Sequence, residues 1–137
     1  MTPKELIAQA IAAMEYAYAP YSGFRVGAAL LCDDGTVYTG CNVENAAFSP
    51  TICAERTAFA KAISDGKRSF AALAVCGGRD GVLSGICPPC GVCRQVLQEF
   101  CGDAFPVYLA QTPDSWQTYT LSQLLPVHFT LSEKPHP

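Results

Sequence analysis

The chain has 137 residues, the length of a single domain, with 50% of them hydrophobic and only 15% charged. That balance excludes an intrinsically disordered chain, which needs low hydrophobicity and high charge, and it implies that another subunit covers part of the apolar surface. The formal charge is −3, from nine Lys plus Arg against twelve Asp plus Glu. No basic stripe is available to track a phosphate backbone, so no nucleic acid partner is expected.

The opening residues Met1–Glu5 show no basic run leading into an apolar stretch, so no secretory signal is expected. The longest apolar runs, Val26–Cys32 and Phe70–Cys76, fall far short of the ~20 residues that span a bilayer. A cytoplasmic protein with no membrane partner follows, and its eight cysteines read as thiols or metal ligands rather than disulfides.

Thr2 and Glu5 form a capping box with Pro3 at the first helical position, and Leu6, Ile7, Ala10, Ile11 and Met14 recur at helical spacing. A helix over 3–18 is expected, broken by Ala19-Pro20-Tyr21-Ser22-Gly23. Arg25–Cys32 and Thr36–Asn42 read as strands joined through Asp33-Asp34-Gly35. A second helix runs from Thr51 to Asp65 and stops at Gly66. Phe70–Cys76 has the length and continuity of a buried strand. A third helix follows Pro88-Pro89 and ends at Cys101-Gly102. Phe105–Ala110 is a fourth strand, and Tyr119-Thr120 a short fifth before a helical turn at Leu121–Leu125. Strands alternating with helices after an opening hairpin predict a single layered α/β domain, 1–137, with a mixed sheet.

Two cysteine segments carry the chemistry. Cys53-Ala54-Glu55-Arg56 and Pro89-Cys90-Gly91-Val92-Cys93 both sit at expected helix starts, where free N–H groups and the dipole favour thiolate. Three thiolates leave a tetrahedral zinc with one open position, the catalytic pattern rather than the closed structural one. A C-x-x-C pair by itself leaves structural zinc, redox and catalytic zinc all open. Cys32, Cys76 and Cys101 read as small buried hydrophobes, and Cys41 stays unassigned. Cys87, Cys90 and Cys93 also begin an iron–sulfur run, but that pattern then needs Cys-Pro where Leu97-Gln98 stands. A closed four-cysteine zinc site using Cys87 stays open but gives Glu55 no task.

Glu55 separates these readings. Residues i and i+2 on a helix point about 200° apart, so Glu55 is poorly placed to ligate beside Cys53. It suits proton transfer to and from a water instead. A ligand-x-Glu followed by P-C-x-x-C is the signature of zinc-dependent deaminases, in which that Glu is not a ligand. Arg56, directly after it, could donate to the thiolates and offset the excess negative charge of three sulfurs on one Zn²⁺; the bland alternative is an exposed helix arginine. Arg94 is open between the same two roles. Asn42 and Glu44 lie two apart in an extended segment, so both side chains leave one face, where an amide and a carboxylate can serve a ribose hydroxyl. On spacing alone, a polar strand end is the commoner meaning of that pattern, and Phe24 alone reads as core.

Phe24-Arg25-Val26-Gly27-Ala28-Ala29-Leu30, Asn42-Val43-Glu44-Asn45, Cys53-Ala54-Glu55-Arg56 and Pro89-Cys90-Gly91-Val92-Cys93-Arg94-Gln95 together resemble the cytidine deaminases. The resemblance is to the small homotetrameric zinc type, extends to about Phe129 and includes Tyr21-Ser22-Gly23. It implies a three-layer α/β/α sandwich with a mixed sheet, one zinc per subunit, and hydrolysis of cytidine and deoxycytidine to uridine and deoxyuridine in pyrimidine salvage. It implies Cys53, Cys90 and Cys93 as metal ligands, Glu55 as proton shuttle while activated water attacks C4, and Arg56 as partner of the ligands. It further implies Phe24, Asn42, Glu44 and Ala54 as nucleoside contacts, and Phe129 as a residue entering a neighbouring subunit's site. Cys87-Pro88 stands where the family shows no strict requirement, and Thr130–Pro137 carries no motif. The rival readings are a deaminase of blasticidin-type nucleoside antibiotics and a zinc-binding module without activity.

Overall fold

The computed structural model describes residues 1–131; the tail from 132 onward, including His136, lies outside the described residues. Helix α1 (Pro3–Ala13) opens with the expected capping box, Thr2 Oγ1 accepting the Glu5 N–H while the Glu5 carboxylate accepts the Thr2 N–H, both at 3.2 Å. A 3-10 turn, Met14–Tyr16, follows, so the helical path ends two residues before the expected 18. The reason is tertiary. Ala17 turns extended, and Tyr18 donates its N–H to the Asn42 carbonyl at 3.0 Å, forming a bridge with Val43 instead of a helical bond.

Strands β1 (Phe24–Cys32) and β2 (Val37–Cys41) form the expected hairpin, its turn closed by Gly35 at φ 89°, a left-handed conformation that glycine adopts without strain. Helix α2 (Ala54–Ser64) starts three residues later than Thr51, because Ile52 is held in an extended bridge with Val43. Strand β3 (Phe70–Arg79) continues past Cys76, and α3 (Gly91–Phe100) crosses over to the parallel strand β4 (Pro106–Thr112). Strand β5 (Ser115–Thr120) is longer than the Tyr119-Thr120 expectation: its polar side chains hide the period, and antiparallel pairing with β4 supplies the order. The helical turn α4 is Leu121–Leu124.

The sheet runs β2-β1-β3-β4-β5, mixed, with β3 and β4 its parallel pair. Alternation along the strands splits the core in two. Ala29, Ala72, Ala74 and Cys76 face Leu6, Ile7 and Ala10 of α1; Ala28, Leu30, Leu73 and Val75 face α2 and α3 through Phe59, Ala58 and Leu97. The expected three-layer α/β/α sandwich is therefore present. Cys32, Cys76 and Cys101 are buried, as small hydrophobes are.

The layering brings the starts of α2 and α3 together on one face. Gly40 of β2 makes this contact possible: a Cβ there would stand 2.4 Å from the Ala54 carbonyl oxygen and 2.6 Å from the Ala58 nitrogen. The first turn of α2 thus lies directly on β2.

Candidate active site

Cys53 and Cys90 occupy equivalent places, each the extended residue capping a helix, of α2 and α3 respectively. Cys93 lies one turn into α3 and is buried. The three sulfurs all lie within 4.8 Å of one another, with Cys53 and Cys90 Sγ 3.8 Å apart. Thiolates at ~2.3 Å from a tetrahedral zinc stand about 3.8 Å from each other, so the donor set fits that ion. Cys87 is outside this set among the described residues, and no closed four-cysteine site forms.

The surroundings favour negative sulfur. The Cys93 N–H donates to Cys90 Sγ at 3.5 Å, and Arg56 Nη2 donates to Cys53 Sγ at 3.5 Å. A hydrogen bond shared with Cys93, reinforced by Arg56, brings the Cys53 thiol down to about 5. The same shared bond, together with burial, pushes Cys93 upward. Cys53 therefore ionises before Cys93, and further negative charge beside it calls for a cation. Arg56 supplies part of that charge, and its Nε is buried without a partner among the described residues. Its place is against the sulfurs rather than on a solvated helix face.

Glu55 is 5% exposed, and burial, with the Cys53 charge adding to it, raises its carboxyl to about 7. It lines a cavity of about 250 Å³ together with Phe24, Asn42, Glu44, Ala54, Cys53 and Cys90. One concave site thus gathers seven of the residues singled out in the sequence, from β1, the 42–44 segment, α2 and the α3 cap. Ala54 is at the first position of α2, where its backbone N–H has no intrahelical acceptor.

Asn42 and Glu44 are already partly engaged. Asn42 clamps β1, its Oδ1 accepting the Val26 N–H and its Nδ2 donating to the Phe24 carbonyl, each at 2.9 Å. One amide hydrogen and one lone pair are left over. Glu44 accepts the backbone N–H groups of Tyr21 and Ser22 at 2.9 and 3.1 Å, and the Ser22 hydroxyl at 2.5 Å. The Ser22 hydroxyl, with those N–H groups, holds the Glu44 carboxyl below its ordinary range. Ser22 is an anchor that the turn signal Tyr21-Ser22-Gly23 does not reveal, because its partner lies 22 residues away.

Cys87 also lines the cavity, and burial, with the charges of Glu55 and Cys53, raises its thiol to about 11. Gly77 makes room for this wall, since a Cβ there would stand 2.9 Å from the Phe24 ring and 3.1 Å from Cys87 Sγ. Cys93 and Arg56 reach the sulfur cluster without lining the cavity, and Phe129 and Arg94 join neither. Phe129 follows α4 on an exposed segment and is 67% exposed. Arg94 points away from the sulfurs, its bonds going to the carbonyls of Pro89 and Leu124.

Residues 1–109 match the family model described as the cytidine and deoxycytidylate deaminase zinc-binding region. The chain belongs to that family. It is 54% identical over 130 residues to the cytidine deaminase of Sporosarcina psychrophila, covering 95% of this chain and 93% of that one. With the cytidine deaminase of Halalkalibacterium halodurans it shares 47% over 133 residues, 97% and 98% of the two chains. The crystal structure of cytidine deaminase from Burkholderia pseudomallei superposes with a TM-score of 0.86 at 46% identity, covering 94% of this chain and all of that one. The Mycobacterium tuberculosis cytidine deaminase structure gives 0.80 at 40%, over 96% and 99%. The family's zinc-binding region and the three-cysteine set place one zinc site in the chain.

Proposed function

We propose that this protein hydrolyses cytidine and deoxycytidine to uridine and deoxyuridine with release of ammonia, in pyrimidine salvage in the cytoplasm. The observation that carries this reading is the buried Glu55 carboxyl lining one cavity with Cys53 and Cys90. Cys53, Cys90 and Cys93 would hold the zinc, which supplies Lewis-acid activation of water at neutral pH. Glu55 accepts the water proton and delivers it to the ring nitrogen beside C4. Once the C4–O bond has formed, Glu55 takes the remaining proton of the new hydroxyl and passes it to the amine. The C4–N bond then breaks to leave a C4 carbonyl, a protonated ring nitrogen and ammonia. A carboxyl raised toward neutrality suits both halves of that task.

Arg56 offsets the charge of the three sulfurs. Phe24 lies along the pyrimidine, and the Ala54 N–H donates to the base. The capacity left on Asn42 and Glu44 serves the ribose hydroxyls, with Ser22 and the Tyr21–Ser22 backbone holding the carboxylate still. Phe129, which its own chain leaves exposed, completes the cavity of a neighbouring subunit in a homotetramer. Metal analysis of the purified protein, run beside ultraviolet loss of cytidine, tests the reading. One zinc per chain and ammonia release are expected; zinc without deamination leaves only a binding module.

A further inference from the structure

Arg94 directly follows the metal-site cysteine Cys93 on α3, yet it donates to no sulfur. Its Nε donates to the Pro89 carbonyl at 2.7 Å, and its Nη1 to the Leu124 carbonyl at 2.6 Å. Pro89 is fully buried and immediately precedes Cys90. Leu124 is the last residue of α4, where a carbonyl has no intrahelical donor, and Pro126 prevents the helix from continuing. The next residue on α3, Gln95, donates its Nε2 to the Phe129 carbonyl at 3.0 Å. One helical turn therefore carries a sulfur of the metal set, a fork onto the metal loop, and both anchors of the segment running from Leu124 to Phe129.

We propose that Arg94 is a positioning residue that locks the Pro89-Cys90 metal loop and the Leu124–Phe129 arm to a single register on α3. Guanidinium is suited to this because its planar fork meets two carbonyls at once, which a lysine ammonium on a flexible stem does not. The loop half of the inference stands on this chain's own hydrogen bonds. The arm half also rests on the placement of Phe129 in a neighbouring cavity under Proposed function.

The test measures zinc transfer to a chromogenic chelator, together with KM and kcat for cytidine, in Arg94→Met, Arg94→Lys and Gln95→Leu. Groups that orient metal ligands typically change metal affinity or activity by about 10–100-fold. Arg94→Met should release zinc faster by that order and raise KM. Gln95→Leu should raise KM alone, and Arg94→Lys should fall between parent and Arg94→Met in zinc release. Should Arg94→Met fail to fold, Arg94→Lys carries the comparison, and parental zinc release in it would overturn the two-carbonyl lock. A folded Arg94→Met with parental zinc release overturns the loop half.

The arm half is read from the double variant Arg94→Met/Phe129→Ala. If Arg94 acts on KM through the arm, the double variant is little worse than Phe129→Ala alone. Additive KM effects overturn the arm half while leaving the Phe129 reading intact. A Phe129→Ala variant with parental KM overturns that reading itself, and the arm half with it.

Discussion

Glu55 is the second residue of α2, beside the Cys53 cap, and its chemistry comes from where that turn is buried. General acid–base groups are typically worth about 10²–10⁴ in rate, so Glu55→Gln should cost that factor in kcat while zinc stays bound. Near-parental turnover with full zinc would remove Glu55 from the mechanism. Burial also makes a statement about pH. The carboxyl sits at about 7 in the folded chain against an ordinary 4.5, so folding favours its protonated form. After zinc is stripped, this costs nothing below the ordinary value, grows as pH rises through it, and levels off above about 7. Metal-free Glu55→Gln should therefore melt with the metal-free parent at pH 4 and above it at pH 8. A Tm gap that does not widen with pH would contradict the assignment. Arg56→Gln removes the donor to Cys53 Sγ; an activity loss of about 10–100-fold is expected, with the acid limb of the pH–rate profile moved upward.

At the scale of elements, two helix starts form the site because the sheet lets them come close. Gly40 lets α2 lie on β2, and Gly77 leaves the space into which the Phe24 ring and Cys87 fit. Gly77→Ala would drive a Cβ against both. Overpacking of this kind costs about 1–3 kcal/mol, and a ring displaced into the cavity by that energy should raise KM for cytidine by roughly tenfold or more. Zinc content should not change, because the three atoms nearest that Cβ belong to Phe24, Cys87 and Arg25. An unchanged KM in a folded variant would show that this wall does not meet the substrate. The polar pair Asn42 and Glu44 follows the same logic. Both are held by neighbouring segments, Asn42 by β1 and Glu44 by the Tyr21–Ser22 turn, before any ligand arrives.

The whole molecule leaves large apolar side chains in water, among them Tyr16, Phe48, Val127 and Phe129. That exposure matches the low charged fraction of the sequence, and it is surface that the proposed homotetramer would cover. Stacking of a base on an aromatic ring is worth about 1–3 kcal/mol, so Phe129→Ala should raise KM by roughly tenfold or more. Mixing Phe129→Ala with Glu55→Gln subunits tests the arrangement across the interface. Hybrid assemblies that combine an intact Glu55 with a neighbour's intact Phe129 should regain activity. No recovery in a mixture shown to exchange subunits, or a fully active monomer by light scattering, would rule it out.

The sequence by itself determined the local features. Capping at Thr2, the Asp33-Asp34-Gly35 turn, the continuous apolar run Phe70–Cys76 and the two cysteine segments at helix starts are each written in neighbouring residues. Local propensity acts over a few residues, and there it agreed with the fold. The spacings within Cys53-Ala54-Glu55 and within Cys90-Gly91-Val92-Cys93 are legible for the same reason, since a helix start fixes how such side chains diverge; that the two segments meet across 37 residues was left to the fold. Only the tertiary structure decided what depends on a distant partner. The bridge of Tyr18 with Val43 ended the first helix early, and pairing with β4 made a full strand of Ser115–Thr120. Ser22 found Glu44 across 22 residues, and Arg94 found Leu124 across 30. Cys87, three residues from Cys90 and equal to it in sequence pattern, fell outside the metal set because the chain path puts its sulfur against Gly77 on the cavity wall. Closing such distances depends on the free energy of the assembled core, and no window of neighbouring residues contains that term.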